Sequence, residues 1–244
     1  MFPFNIRGLF QGGGWFAGIL CLAWILMPRP AIAWHTLTHS HLARIAFYQM
    51  PTDFQDFFQE HFTRILSGSL APDLILRDWS NHEWNVHSED GLQGGAPARV
   101  EELFSVIMEG LASQTPDYPK VANELGHLSH YLADINQPLH TDQTDLEGLF
   151  HAAYEWDVYI RQDGFSFLDH GRTFCLDPYS DTILMAVSAN RYYNQILESY
   201  TGGTGYDGLE KTTAFCLQSA VDAIKGFHDM IHICGIIHFH DATG

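Results

Sequence analysis

Residues 126–157 read GHLSHYLADINQPLHTDQTDLEGLFHAAYEWD, and the spacing of their polar residues predicts two helices that share a metal site. His130 and Asp134 lie four residues apart, so on a helix their side chains share one face and can bind the same cation. His151 and Glu155 repeat this spacing. The stretch therefore predicts one chelating pair on each of two helices.

A proline lies between the two predicted helices. Because Pro138 lacks an N–H and disfavours the helical conformation in the residue before it, the first helix is expected to end near Gln137. His140 follows this break and so takes a new direction. Imidazole and carboxylate together suit zinc, and less specifically manganese or iron. The chain has 15 histidines against 12 lysines and arginines, which favours a metal site over ordinary surface histidines.

The rest of the sequence is dominated by helical periodicity. Apolar residues fall on one helical face in segments 41–50, 53–70, 98–112, 121–134, 150–162, 180–200 and 212–235. Glycine and proline mark breaks at 91–97, 115–119, 164–178 and 201–208. Strand-like alternation is scarce. The predicted fold is all-α, a single-domain helical bundle whose ligands project from facing helices into a cleft.

The first 33 residues have the pattern of a secretory signal peptide. Arg7 precedes the apolar run WFAGILCLAWILM, and Ala31-Ile32-Ala33 provides the small residues of a cleavage site. The run is shorter than the roughly 20 residues that span a bilayer. We therefore expect export through the inner membrane, to the periplasm or the medium, and a mature domain of residues 34–244. Its new α-amino group, on Trp34, could chelate a metal together with the carbonyl oxygen of the same residue.

With this start, the chain resembles the zinc-dependent phospholipase C family, which includes the bacterial phosphatidylcholine-preferring enzymes and the catalytic domain of clostridial alpha-toxin. The fungal single-strand nucleases resemble it more distantly. The resemblance spans nearly all of the mature chain. It rests on an ordered set of residues: Trp34, His39, Asp73, a histidine within 82–87, His130, Asp134, His140, His151 and Glu155.

Two positions in this pattern stay open. His39 and His41 both follow the predicted terminus, and the spacing from Trp34 favours His39. His82 has the aromatic residue two positions later that the phospholipases show, whereas His87 lies at the more familiar distance from Asp73. The sequence does not separate His82 from His87.

The resemblance implies three zinc ions in one cleft. Trp34, His39 and Asp134 would bind one ion, and Asp134 would bridge to a second. The second would also be bound by Asp73, His130 and either His82 or His87. The third set is His140, His151 and Glu155. The implied activity is phosphodiester hydrolysis by metal-activated water, with Asp73 as the catalytic residue that orients the water or accepts its proton.

Charge narrows the class of substrate. Loss of residues 1–33 would remove Arg7 and Arg29 and no acidic residue, leaving 10 basic and 29 acidic residues and a net charge of −19. Lysine and arginine supply most nonspecific affinity for nucleic acid, so no stable nucleic-acid partner is expected. Anionic membranes are disfavoured for the same reason, while transient contact with zwitterionic lipid stays open. The expected substrate is a phospholipid or another phosphodiester.

Two alternative functions remain. One is a nuclease or 3'-nucleotidase of the related family. Phospholipase C is favoured because the last motif ends in Glu155, where the nucleases carry aspartate, and because the segment between His140 and His151 is short. The other is a non-catalytic periplasmic zinc-binding protein, which would also be exported, acidic and rich in histidine, but would need no processed Trp34.

Overall fold

The structure, a computed structural model, describes residues 34–88, 93–144, 146–171 and 177–242, with side chains up to residue 234. The predicted signal peptide therefore lies outside the described residues. Within these ranges the chain forms α1 (Thr36–Gln49), α2 (Thr52–Phe58), α3 (Phe62–Gly68), α4 (Ala96–Ala112), α5 (Tyr118–Ile135), α6 (Glu147–Tyr159), α7 (Pro178–Asn190), α8 (Tyr193–Thr201) and α9 (Glu210–Ala242).

The all-α fold class is confirmed. The described ranges contain no β-strand, and short 3₁₀ or π-helical turns connect several of the helices. These ranges belong to one compact unit, Ala31–Gly244. None of the described helices combines the length and the apolar character that crossing a membrane requires.

Helix α5 lies at the centre and contacts α1, α3, α4, α7 and α9. It begins where the Asp117 carboxylate accepts a hydrogen bond from the Lys120 backbone N–H at 3.1 Å, and Pro119 occupies its first turn. Every residue from Leu125 to Ile135 is buried. Because the polar residues of this segment are enclosed on all sides, each needs a partner inside the protein.

Helices α3 and α5 approach closely at a pair of glycines. A Cβ on Gly126 would lie 2.2 Å from the carbonyl oxygen of Ile65, and one on Gly68 would lie 2.3 Å from that of Asn123. No larger side chain fits either position without moving the helices apart. The contact brings the Ser69 carbonyl to His130, which it helps to orient.

The break predicted at Pro138 is confirmed. Helix α5 ends before Asn136, and a 3₁₀ turn over Pro138–His140 follows. The Gln137 side chain caps this turn by accepting a hydrogen bond from the Leu139 backbone N–H. His140 is thus held at a fixed angle between α5 and α6.

Two segments predicted as continuous helices are divided. The segment 53–70 contains α2, a 3₁₀ turn at Gln59–His61 and α3, and the segment 180–200 is divided between α7 and α8. Phe54, Phe58 and Ile65 are all buried. Since both pieces direct apolar residues to the same core, the apolar spacing alone does not distinguish one helix from two.

A buried histidine on α9 is expected to make stability depend on pH. His228 is fully buried, stacks on Phe54 and lies 3.2 Å from the Ser129 hydroxyl. Burial lowers its pKa from 6.5 to about 4. The folded protein therefore keeps His228 neutral, whereas the unfolded chain binds a proton below its own pKa of about 6.5. The contribution is complete above that pH and is lost as pH falls towards 4.

The expected loss is about 2 kcal/mol of unfolding free energy by about pH 5. Urea unfolding of the wild type and of His228→Gln, at about pH 7.5 and about pH 5, measures it. The wild type should lose about 2 kcal/mol more than the variant between these pH values. Parallel losses in the two proteins would show that His228 does not titrate in this way.

Candidate metal centre

Three groups of buried histidine, aspartate and glutamate side chains converge in the described part of the chain. Within each group the candidate ligand atoms lie within 4.8 Å of one another. The groups are His39–His130–Asp134, Asp73–His82–His130 and His140–His151–Glu155.

The Asp134 carboxylate lies between two of these groups. Its Oδ1 lies 3.2 Å from Nε2 of His39, which comes from α1. Its Oδ2 lies 3.0 Å from Nε2 of His130 and 2.9 Å from Nδ1 of His82. The two oxygens therefore face different sets of nitrogen atoms, as a carboxylate that bridges two cations would.

Asp73 comes from the π-helical turn Pro72–Leu76. Its Oδ1 lies 3.6 Å from Nε2 of His130 and 3.9 Å from Nδ1 of His82. Its Oδ2 accepts a hydrogen bond from the Thr36 hydroxyl at 3.1 Å. Thr36 thus holds one carboxylate oxygen while the other points into the group.

The third group joins the turn after α5 to helix α6. Nε2 of His140 lies 3.1 Å from Nε2 of His151. The Glu155 Oε1 lies 2.7 Å from the same His151 nitrogen and 3.8 Å from that of His140. The Gln137 amide nitrogen reaches both residues, at 3.0 Å from His151 and 3.4 Å from Glu155.

Hydrogen bonds at the outer ring nitrogens orient these imidazoles. Nδ1 of His130 donates to the Ser69 carbonyl, and Nδ1 of His140 donates to the His82 carbonyl, both at 2.8 Å. Nδ1 of His151 donates to the Glu147 carboxylate. Each Nε2 is then left to direct its lone pair inwards, which is the arrangement that metal-binding histidines show.

Inward lone pairs only about 3 Å apart repel unless a proton or a metal cation lies between them. Two ligands that are each about 2 Å from a tetrahedral zinc ion are separated by roughly 3.3 Å. The 3.1 Å between His140 and His151 and the 3.2 Å between His130 and His82 are close to this value. The spacing of the nitrogens therefore fits zinc.

Several inward atoms accept or donate no hydrogen bond in the described ranges. They include Nε2 of His39, Oδ1 of Asp73 and Oδ1 of Asp134, all of them buried. Buried polar atoms without a partner are costly. A bound cation would satisfy all three atoms. These atoms, like the spacing of the nitrogens, therefore fit a metal site.

The carboxylates hold protons on two of the imidazoles when no metal is bound. Burial alone would lower the pKa of His82, but hydrogen bonds to Asp134 and Asp78 raise it to about 10. Burial alone would also lower the pKa of His151, but Glu155 and Glu147 raise it to about 10. A divalent cation would replace these protons, since metal binding requires neutral imidazole.

Two aspartates of the cluster differ, since burial raises the pKa of Asp73 whereas the pKa of Asp134 is lowered. Burial alone would raise the pKa of Asp134, but His130 and His39 beside it hold that pKa well below its usual range. Asp134 is therefore ionised at neutral pH. An ionised buried carboxylate between imidazoles attracts a cation strongly.

The structure separates the candidates that the sequence left open. The His82 side chain is 2% exposed and lies in the cluster, whereas that of His87 is 67% exposed and contacts Asp142. His39 is in the cluster, whereas His41 faces Asp163 and Arg44. His82 and His39 are thus brought together with the other predicted ligands, and His87 and His41 are not.

Trp34 is fully buried close to the cluster. Its indole N–H donates to the Ala133 carbonyl at 2.9 Å, one residue before Asp134. Its ring packs on Tyr154, one residue before Glu155. The side chain therefore anchors the start of the described chain beside both of the helices that carry candidate ligands.

Three residues that support the ligands were not predicted from the sequence. Asp78 faces Nε2 of His82 at 3.4 Å and accepts a hydrogen bond from the Tyr131 hydroxyl at 2.7 Å. Glu147 holds His151, and Gln137 reaches His151 and Glu155. Glu147 lies four residues before His151 on the same helix, so the spacing that revealed the main pairs would have indicated it too, whereas Asp78 and His82 flank a short 3₁₀ turn where this spacing does not apply.

Comparison with known proteins gives one family and a fold. The sequence matches the family model described as zinc dependent phospholipase C over residues 38–202. An alpha toxin from Clostridium absonum superposes with a TM-score of 0.66 at 17% identity, covering 84% of this chain and 64% of the toxin.

Clostridium perfringens alpha-toxin from an avian strain gives a TM-score of 0.53 at 14% identity, covering 87% of this chain and 64% of the toxin. The chain thus spans less than two thirds of either toxin, and at these identities the likeness concerns the fold. No curated protein sequence matches the chain.

Proposed function

Because the chain belongs to the zinc-dependent phospholipase C family, we propose that it is an exported phospholipase C that hydrolyses glycerophospholipids to diacylglycerol and a phosphorylated head group. In this proposal a signal peptidase removes residues 1–33, and Trp34 becomes the first residue. The mature domain, residues 34–244, then binds three zinc ions.

The observation that carries the proposal is the convergence of three buried ligand groups into one cluster. The His130 ring belongs to two groups, and the His82 carbonyl accepts the hydrogen bond that orients His140 in the third. A protein that only stores zinc needs no such connected arrangement. Adjacent cations are what many phosphodiesterases use to stabilise the attacking and the leaving oxygen of the reaction.

Each ion has a proposed set of ligands. Asp134 Oδ1 and His39 would bind one ion together with the amino nitrogen and carbonyl oxygen of Trp34. Asp134 Oδ2, Asp73, His82 and His130 would bind the second. His140, His151 and Glu155 would bind the third. The distances of the two Asp134 oxygens to different imidazoles support its bridging role.

Zinc bound by these ligands would neutralise the phosphate charge and lower the pKa of a water molecule bound to it. The chain's own contribution is orientation. Thr36 holds Oδ2 of Asp73, so Oδ1 has a fixed position facing His130 and His82. We assign Asp73 the role of orienting the attacking water or accepting its proton, because a base must be within hydrogen-bonding reach of the proton that it removes.

The reaction itself provides the test. The exported protein should release diacylglycerol and a phosphorylated head group from phosphatidylcholine, and less from phosphatidylglycerol, because the acidic surface disfavours an anionic lipid layer. A chelator should abolish the release, and added zinc should restore it. Release of nucleotides from single-stranded DNA instead would identify the nuclease alternative. No turnover on any phosphodiester, in a protein that retains zinc, would identify the zinc-binding alternative.

A further inference from the structure

Helix α6 has an unusual distribution of polar and apolar residues. Its inward face carries His151 and Glu155, which are buried in the cluster. Its outward face carries Leu149, which is 71% exposed, and Trp156, which is 54% exposed, and Ile160, the residue directly after its end, is also 54% exposed. These outward residues are seven and four positions apart, so they form one stripe along the helix. Large apolar side chains in a row on the surface indicate a contact surface.

A second exposed apolar segment follows Asp73. Leu74, Ile75 and Leu76 are 57%, 75% and 43% exposed, although Asp73 itself is buried. The segment ends at Arg77, which is exposed and takes the left-handed conformation with φ 53°. The turn thus directs a carboxylate inwards and three aliphatic side chains into solvent.

The start of α1 joins these two apolar segments. The Thr36 hydroxyl donates to Asp73, and the ring of the preceding His35 stacks on Tyr159 at 4.0 Å and meets Trp156 at 5.7 Å. Leu37, the next residue, is exposed. Together the exposed residues define an apolar face, which consists of Leu37, Leu74, Ile75, Leu76, Leu149, Trp156 and Ile160.

The apolar face is tied to the metal centre by the backbone. Leu74 directly follows the candidate ligand Asp73, and Trp156 directly follows Glu155. The same two segments therefore present ligands on one side and apolar side chains on the other. A surface that docks on these side chains would therefore lie against the two backbone segments that carry Asp73 and Glu155.

The charge of the chain indicates which kind of surface the apolar face can bind. The chain carries a net charge of −17, so a strongly anionic surface would repel it. Arg77 at the edge of the apolar face is a cation that can meet a phosphate group. We propose that the apolar face is the site where the protein docks on a zwitterionic phospholipid layer, an inference that rests on the proposed phospholipase activity.

The test compares two pairs of substitutions at exposed aliphatic residues. The variant Ile75→Ser/Ile160→Ser removes apolar side chains from the face without touching a candidate ligand. The control, Leu168→Ser/Leu184→Ser, removes two leucines that are each 64% exposed and lie outside the face. Co-sedimentation on ice with phosphatidylcholine vesicles measures the affinity of the zinc-loaded protein, purified as its cell processes it. Bis(p-nitrophenyl) phosphate, a soluble phosphodiester, measures hydrolysis that needs no lipid surface.

The face variant should bind vesicles about tenfold more weakly and hydrolyse vesicle lipid correspondingly more slowly. Its hydrolysis of the soluble diester should stay within about twofold of the wild type, and the control should match the wild type in both assays. Unchanged vesicle affinity of the face variant would overturn the proposal. So would binding by the wild type to phosphatidylglycerol vesicles alone.

Two further outcomes distinguish a failure of the docking proposal from a failure of the proposed function. Self-association that depends on Ile75 and Ile160 in sedimentation, without vesicle binding, would overturn the proposal by assigning the face to a second copy of the chain. A wild type that hydrolyses no phosphodiester would reject the proposed function. The vesicle affinities of the two variants would still decide whether the apolar face docks on lipid, so the two failures are distinguishable.

Discussion

Asp134→Asn is expected to reduce phosphodiester hydrolysis by about 10³-fold or more, because metal ions supply several kcal/mol of transition-state stabilisation. The Asp134 carboxylate is fully buried, and its two oxygens face His39 on one side and His130 and His82 on the other. An amide keeps one acceptor oxygen but replaces the second with a donor and removes the charge. Of the two proposed ions beside this residue, one would lose a ligand and the other would keep only a neutral oxygen.

The measurement is zinc content and turnover of the purified variant, with Asp142→Asn as the matched control. Asp142 contacts His87, outside the cluster. Asp134→Asn should lose at least one zinc ion, whereas Asp142→Asn should keep the zinc content and activity of the wild type. Circular dichroism and thermal unfolding would show whether the first variant still folds. A folded Asp134→Asn protein with full zinc and full activity would contradict the assignment.

His82→Ala is expected to lose zinc and to slow hydrolysis by about 10²-fold or more, while His87→Ala retains both within about twofold. The two histidines are five residues apart on one connecting segment, but only His82 reaches Asp134, at 2.9 Å. Both variants replace a histidine with alanine, so any difference between them arises only from the position of that histidine.

Zinc titration of the two variants, followed by turnover with phosphatidylcholine, measures this difference. If the alternative ligand suggested by the spacing from Asp73 were correct, His87→Ala would show the larger loss. Equal losses in both variants would indicate that neither histidine binds the metal specifically.

The main features of the site could be predicted from the sequence because they are local. Residues four apart on a helix share a face whatever the rest of the fold does, so the pairs His130 with Asp134 and His151 with Glu155 follow from spacing alone. The helical break at Pro138 is also a local effect. These features, with the ordered motif, were sufficient to indicate the family that the match over residues 38–202 confirms.

Other features depend on the path of the chain in three dimensions. The choice of His82 over His87 is determined in a segment with a short 3₁₀ turn at Trp79–Asn81, where no periodicity guides a prediction. The apolar spacing also does not predict that segment 53–70 divides into two helices, because both pieces direct their apolar residues to one core. The apolar face could not be predicted either, since it combines residues from three separate segments that meet only in the fold.

We propose that export produces a chain that begins at Trp34 and binds three zinc ions. Native mass spectrometry of the active protein, purified after export, tests both parts at once because it gives the mass of the chain and the mass of bound metal. We expect residues 34–244 with three zinc ions. An active protein that retains residues before Trp34, or one that contains no bound transition metal, would contradict it.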